Sequence, residues 1–238
     1  MNYYIGMSEK QEVFTIMGGH VKILRGPYNP TSDAVWVAAF ADGHPKTVLD
    51  VGTGTGAVAL CLMARIPDIQ MTAIDISQQM LDAAKENFTL NNQNAEFINA
   101  DIMTWRTDKT FDLVITNPPY FKGTPASHNA HHNADLVKWV RQCIARVKPG
   151  GAFTTIVNMA ETATIVSEMT QHHCGDIQIL PLFSTRSWNS AERVLISGRL
   201  GRAPHCNLFS GLPMNCDEIL RNGMSVKDVW AMLSSKKR

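Results

Sequence analysis

The stretch "VLDVGTGTGAVAL" (48–60) decides the fold. The run "VLDV" reads as the end of a buried strand. Glycines at 52, 54 and 56 interrupt it, and apolar residues then resume with helical spacing. A strand, a tight turn and a helix in direct succession are the unit of a parallel α/β sheet. Glycine tolerates positive φ and lets a ligand approach the backbone, and the helix N-terminus beyond can receive negative charge.

Working outward, the same alternation continues. "TVLDV" (47–51) is predicted as a strand and "AVALCLMARI" (57–66) as a helix. "MTAIDI" (71–76) follows as a strand, then "QQMLDAAKENFTL" (78–90) as an amphipathic helix with Ser77 as its N-cap. "AEFINA" (95–100) and "FDLVIT" (111–116) are the third and fourth strands, and "DLVKWVRQCIARV" (135–147) is a helix that stops at the Pro-Gly turn "KPGG". "AFTTIV" (152–157), "IQILPLF" (177–183) and "RVLISGRL" (193–200) complete the strands, the last paired antiparallel, with "AETATIVSEMTQHH" (160–173) as a helix. The pattern predicts a mostly parallel sheet with helices on both faces. Such sheets bind ligands beyond the carboxyl ends of their strands. Upstream, "TSDAVWVAAF" (31–40) is expected to form a short helix capped by Thr31 or Ser32. The part from Ala203 on is weakly patterned, and its basic "SSKKR" end is expected to be frayed.

Length and composition set the frame. The chain has 238 residues, which suits one domain: an extension over 1–45, a core over 46–202 and a terminal segment over 203–238. With 22 basic and 21 acidic residues the formal charge is +1, so a nucleic-acid role has to rest on a local patch. Five cysteines without a CxxC pair argue for a reducing compartment. "MNYYIGMSEKQE" has no signal-peptide core and no run is long enough to span a bilayer, so a cytoplasmic protein with no membrane contact is expected.

The candidate site is built from four strand ends. Glycines 52, 54 and 56 make a GxGxG loop, with Thr53 within it and Asp50 just before it. An acid there repels a pyrophosphate but accepts a hydrogen bond, directly or through water, from an ammonium, which fits a zwitterionic amino-acid ligand better than a dinucleotide. Asp75 ends the second strand about twenty residues on, where an acid can take both ribose hydroxyls. Ile76 is placed to cover one face of an adenine. In "NADI" (99–102), Asp101 is offered to its amino group and Ile102 to its other face. Together these residues describe a pocket for a ribose, an adenine and an amino-acid moiety.

"LDVGTGTG", "AIDIS", "NADI" and "FDLVITNPPY", in this order, resemble the class I S-adenosylmethionine-dependent methyltransferases over about residues 47–200. The resemblance implies a Rossmann-like, seven-stranded, mostly parallel sheet whose last strand is antiparallel, and S-adenosyl-L-methionine as cofactor. It also gives meaning to "NPPY" (117–120). An exocyclic amino or amide nitrogen is a weak nucleophile because its lone pair is delocalised. The Asn117 side-chain oxygen and the Pro118 carbonyl, held rigid by Pro118 and Pro119, are two acceptors that draw that nitrogen toward tetrahedral geometry. Tyr120 offers a stacking face. No general base or metal is required.

The motif is similar to those of adenine-N6, cytosine-N4, guanine-N2 and protein glutamine-N5 methyltransferases. "MGGHVKILRGPYNPTSDAVWVAAFA" (17–41), "HNAHHNADLVKWVRQCIARVKPGG" (128–151) and "AERVLISGRLGRAP" (191–204) resemble the tRNA1(Val) adenine-37 N6-methyltransferase family. That likeness implies methylation of adenine N6 in a tRNA substrate, with no obligate protein partner evident. Glutamine-N5 or rRNA guanine-N2 methylation are the alternatives, and a non-catalytic nucleotide- or RNA-binding module is an alternative of another class. His128, His131 and His132 are expected on an irregular loop, as a lid or solvated segment rather than a metal site. Lys22, Arg25, Lys122, Arg186, Arg193, Arg199 and Arg202 are candidates for a phosphate-facing surface. Trp139 is expected in the core, and Trp188 as an exposed aromatic.

Overall fold

The computed structural model describes residues 12–26, 28–119, 129–184 and 189–235. The chain opens with an antiparallel hairpin, β1 (Val13–Ile16) and β2 (Val21–Leu24), followed by α1 (Ser32–Phe40). The alternating layer then runs β3 (Thr47–Val51), α2 (Ala57–Arg65), β4 (Gln70–Asp75), α3 (Gln78–Leu90), β5 (Glu96–Asn99) and β6 (Phe111–Thr116). It continues with α4 (Asn129–Ile144), β7 (Val147–Asn158), α5 (Thr162–Gln171), β8 (Cys174–Phe183) and β9 (Arg193–Leu200). The last part adds β10 (Cys206–Leu208), β11 (Leu212–Pro213), α6 (Asp217–Leu220) and α7 (Val226–Ser235).

The main sheet has the order β10-β8-β9-β7-β6-β3-β4-β5, with β11 also pairing β8. Its central seven strands match the expected architecture. β3 to β7 pair in parallel, and β9 lies antiparallel to both β7 and β8. The two short strands β10 and β11 extend the expected seven by pairing with β8 in parallel. From β3 the chain adds β4 and β5 on one side, then returns to place β6 on the other. That reversal is the switch point where α/β sheets bind ligands.

Local chemistry accounts for most boundaries. The apolar strands β3 and β6 are buried on both faces, as parallel central strands require. α3 starts where Ser77 accepts a hydrogen bond from Met80 N at 3.4 Å. α1 ends where the Arg65 guanidinium reaches across from α2 to the Ala38 and Ala41 carbonyls, supplying a cation to a helix C-terminus.

Several expectations are corrected. Thr31 occupies the N-cap position of α1 with extended backbone, but its side chain makes no capping hydrogen bond. α4 begins at Asn129, so His131 and His132 lie on a helix rather than a loop; His128 falls outside the described residues. "KPGG" does not stand before the fifth strand. It is a bulge within it, with Phe111 opposite Val147 and Leu113 opposite Ala152. The terminal segment is structured, with Ile219, Val226 and Val229 in the same buried cluster as Trp36 of α1, and the helix α7 extends to Ser235. No helix among the described residues is long and apolar enough to cross a membrane.

Candidate active site

The ends of β3, β4, β5 and β6 open onto one cavity of ≈ 700 Å³, closed on its remaining side by residues 28–34 and α4. That volume lies within the range of small-molecule sites. The glycine loop lies at its floor. Gly52, Gly54 and Gly56 have φ of 69°, 55° and 84°, which L side chains rarely adopt. A Cβ on Gly56 would stand 2.9 Å from the Phe88 ring and one on Gly52 3.1 Å from Trp139, whereas Gly54 has open space within 4 Å. The loop is therefore pressed between α3 and α4 at two glycines and bare at the third.

Its amides are used inside the protein. Gly52 N and Thr53 N both donate to Ile74 O, at 2.9 and 3.1 Å, and Gly56 N donates to Thr53 O at 2.9 Å. Gly54 N donates to Asp75 Oδ2 at 2.8 Å. A dinucleotide loop instead offers such amides to a pyrophosphate. The loop is built to present bare backbone and an acid.

Asp75 keeps capacity for a ribose. Each of its oxygens takes one backbone N–H, Oδ2 from Gly54 and Oδ1 from Ser77 at 2.9 Å, and each retains a lone pair. Asn99 holds the chain just beyond by donating to Asp75 O and Ile76 O at 3.2 and 3.0 Å. Ile76 is 70% exposed and lines the cavity, an apolar side chain standing where a ligand face would cover it. Ile102 lines the same space from the buried side. Asp101 takes Met103 N on Oδ1 at 2.9 Å, which aims the carboxylate from the turn after β5. These residues fit an adenosine-type group: an acid for the ribose, two isoleucines for the ring and an acid beyond it.

Asp50 stands differently from expectation. It is fully buried and does not line the cavity. Thr53 Oγ1 donates to its Oδ2 at 2.7 Å, while Oδ1 has no hydrogen-bond partner. Burial raises its pKa to about 7, against the lowering effect of the Thr53 hydroxyl. Asp50 thus holds the loop from beneath, with any influence on a bound ammonium exerted through the loop.

At the end of β6, Asn117, Pro118 and Pro119 line the cavity opposite the glycine loop; Tyr120 lies outside the described residues. Among the described residues no hydrogen bond holds the Asn117 carboxamide. Lys122, Arg186 and Trp188 also fall outside the described residues. The remaining basic candidates do not form one face. Arg193 is paired with Asp33 near the cavity end of β9, whereas Arg199 donates to Gly150 O near the other end of the same strand. Arg25 is paired with Glu12 on the hairpin. Among the described residues no group of three His, Cys, Asp or Glu is placed to hold a metal ion.

Sequence reasoning missed part of the wall. Trp139 lines the cavity instead of belonging wholly to the core, and its Nε1 donates to Thr116 Oγ1 at 3.3 Å. Thr116 Oγ1 in turn donates to Val51 O at 2.7 Å, so α4 is tied to the ends of β6 and β3. Asp135 lines the cavity one turn before Trp139, and that i, i+4 spacing was the available signal. Tyr28, Pro30 and Thr31 also line it, brought there by a segment far from the motifs in sequence.

The chain was compared with known proteins. A family described as the methyltransferase small domain matches residues 31–176, more than half of the chain. Among curated relatives, a tRNA1(Val) (adenine(37)-N6)-methyltransferase of Glaesserella parasuis is 33% identical over 53% of this chain and 57% of its own length. A release factor glutamine methyltransferase of Deinococcus radiodurans is 32% identical over 64% of this chain and 55% of its own length. The chain thus spans little more than half the length of these relatives. Among solved structures, a predicted O-methyltransferase of Agrobacterium tumefaciens superposes with a TM-score of 0.67 at 21% identity, covering 81% of this chain and 97% of the other. The N-methyltransferase NodS of Bradyrhizobium japonicum, in complex with S-adenosyl-L-homocysteine, gives a TM-score of 0.54 at 14% identity over 72% and 86%. At these identities the structural likeness is one of fold.

Proposed function

This chain belongs to the methyltransferase small-domain family of S-adenosylmethionine-dependent enzymes, and from that premise we propose that it methylates an exocyclic amino group, adenine N6 in a tRNA. The observation that carries the reading is the meeting of Asn117 and Pro118 with the glycine loop, Asp75 and Asp101 around one cavity. We read 1–238 as one domain, because one apolar cluster takes in buried residues from Met17 to Val229 and a second, from Leu49 to Ile196, is built on strands of the same sheet.

When bound, S-adenosyl-L-methionine supplies an electrophilic methyl on a sulfonium. In this reading Asp75 takes the ribose hydroxyls, Ile76 and Ile102 sandwich the adenine, and Asp101 meets its amino group. The bare backbone at Gly54 lies against the amino-acid end, steered by the buried Asp50. Asn117 Oδ1 and Pro118 O accept the two hydrogens of the acceptor's NH₂, which orients the nitrogen lone pair toward the methyl. With that methyl donor bound, Asn117 and Pro118 would hold the acceptor nitrogen facing it, and the proton left over after transfer would pass to solvent. Prolines on both sides of the second acceptor limit its motion, so the geometry is set before reaction.

Support for a tRNA acceptor comes from the adenine-N6 relative. The glutamine methyltransferase relative supports a second reading, in which a peptide amide occupies the same clamp. Incubation with methyl-labelled cofactor, unmodified tRNA transcripts and a release-factor substrate separates them. Label on adenosine is expected; label only on glutamine replaces the first reading with the second. Asn117→Ala is expected to lower kcat by about 10²-fold or more, as loss of one preorganised polar contact does elsewhere, while S-adenosylhomocysteine still binds. Unchanged turnover would remove Asn117 from the clamp.

A further inference from the structure

We propose that Tyr28 is the aromatic platform on which the acceptor base rests, a role that deepens the tRNA reading above and depends on it. Tyr28 is 44% exposed, and it lines the same cavity as Asn117, Pro118 and Pro119. Isolated exposed aromatics on a surface call for no explanation. This one stands inside a site whose chemistry needs a planar group held still.

One anchor of its segment lies toward the acceptor side of the cavity. Asp75 and Asp101 follow β4 and β5, on one side of the glycine loop, while Asn117 follows β6 on the other. The α1 end of the segment carrying Tyr28 is anchored farther in that second direction, whereas its β2 end is bonded to α3. Arg193, at the start of β9, donates through Nε to Asp33 Oδ2 at 3.2 Å and through Nη1 to Asn158 Oδ1 at 2.6 Å. Asp33 is buried in the first turn of α1, and Asn158 ends β7. Three strand spacings separate β4 from β7, about 14 Å across the sheet at 4.8 Å each. The anchor at Asp33 therefore sits on the acceptor side of Asn117.

Pro30 fixes its own φ between Tyr28 and the helix, and the ion pair at Asp33 ties the first turn of α1 to two strands. On the hairpin side, β2 is held to α3 through Asn91, which accepts from Lys22 N at 2.9 Å and donates to Lys22 O at 2.6 Å. Stacking on an exposed ring is tolerant of base identity. Recognition by Tyr28 would thus orient the base, leaving the amino group to be chosen by Asn117 and Pro118.

The test compares wild type with Tyr28→Phe and Tyr28→Ala, each as the full chain. KM and kcat are measured with an unmodified tRNA transcript, and calorimetry gives the affinity for S-adenosylhomocysteine. Tyr28→Ala is expected to raise KM for the transcript by about tenfold or more, the range of one lost stacking contact. Tyr28→Phe should stay within about twofold, and cofactor-product affinity should be unchanged in both. If Tyr28→Ala unfolds, Tyr28→Leu keeps the apolar bulk without the aromatic face and is expected to show the same rise. An unchanged KM in the alanine variant, or in leucine if alanine fails to fold, overturns the proposal. So does a loss of S-adenosylhomocysteine binding with KM unaltered, which would make the ring part of the cofactor's wall. Wild type that labels no tRNA fails the acceptor reading itself, an outcome visible before any variant is made.

Discussion

Asp50 is a carboxyl buried beneath the glycine loop. Its pKa is raised from 3.8 to about 7 by burial, with one oxygen held by Thr53 and the other unpartnered. The sign of the consequence follows from proton counting. Between these two values the folded chain holds a proton that the unfolded chain has released. Stability is therefore greatest below about pH 4 with respect to this group, and is lost as pH rises toward 7, by at most about 1.4 kcal/mol per pH unit. Asp50→Asn keeps an acceptor for the Thr53 hydroxyl and removes the charge. The variant is expected to gain stability relative to wild type at pH 8 and to match it near pH 4, as read by thermal unfolding of the ligand-free protein at both values. Parallel curves at the two pH values would show that the carboxyl titrates normally. The acid at this position was legible in the sequence; its burial was not, because exposure depends on how the loop folds back over the strand.

At the scale of elements, the hairpin and the cofactor loop are connected by one side chain. Asn87 of α3 is fully buried, accepts from Leu24 N at 2.8 Å and donates to Thr55 O at 2.9 Å. Asn87→Ala leaves a strand amide and a loop carbonyl without their partner. A loss of about 2 kcal/mol is expected, measured by denaturant unfolding, together with weaker S-adenosylhomocysteine binding by calorimetry. Stability loss with unaltered binding would show that the carboxamide supports the hairpin alone. Most elements themselves were readable: β3, β6, β9 and α3 have the boundaries that their apolar periods predict. The errors fell where local pattern and tertiary pairing disagree. "KPGG" reads as a turn, yet the sheet absorbs it as a bulge between two paired positions. α4 starts earlier than its apolar period, so His131 and His132 are helical.

The whole molecule closes through its last thirty-odd residues. Trp36 Nε1 donates to Met214 O at 3.1 Å, and the rings of Phe209 and Trp230 lie 4.3 Å apart. Removal of residues 203–238 uncovers α1 and takes β10 and β11 from β8, leaving it an open edge, so the truncated chain is expected to lose its cooperative thermal transition, monitored by circular dichroism. A sharp transition after truncation would show that the core is complete without that segment. What the sequence by itself determined is the strand–helix alternation, the GxGxG loop, the acids at two strand ends and the "NPPY" stretch. Each of these is a local signal, set by side-chain period and backbone freedom within a few residues. Only the tertiary structure decided that Asp50 lies under the loop, that Trp139 and Tyr28 wall the cavity, and that the terminal segment completes the core. Those placements come from packing between residues tens to more than a hundred positions apart, where burial depends on which distant surfaces meet.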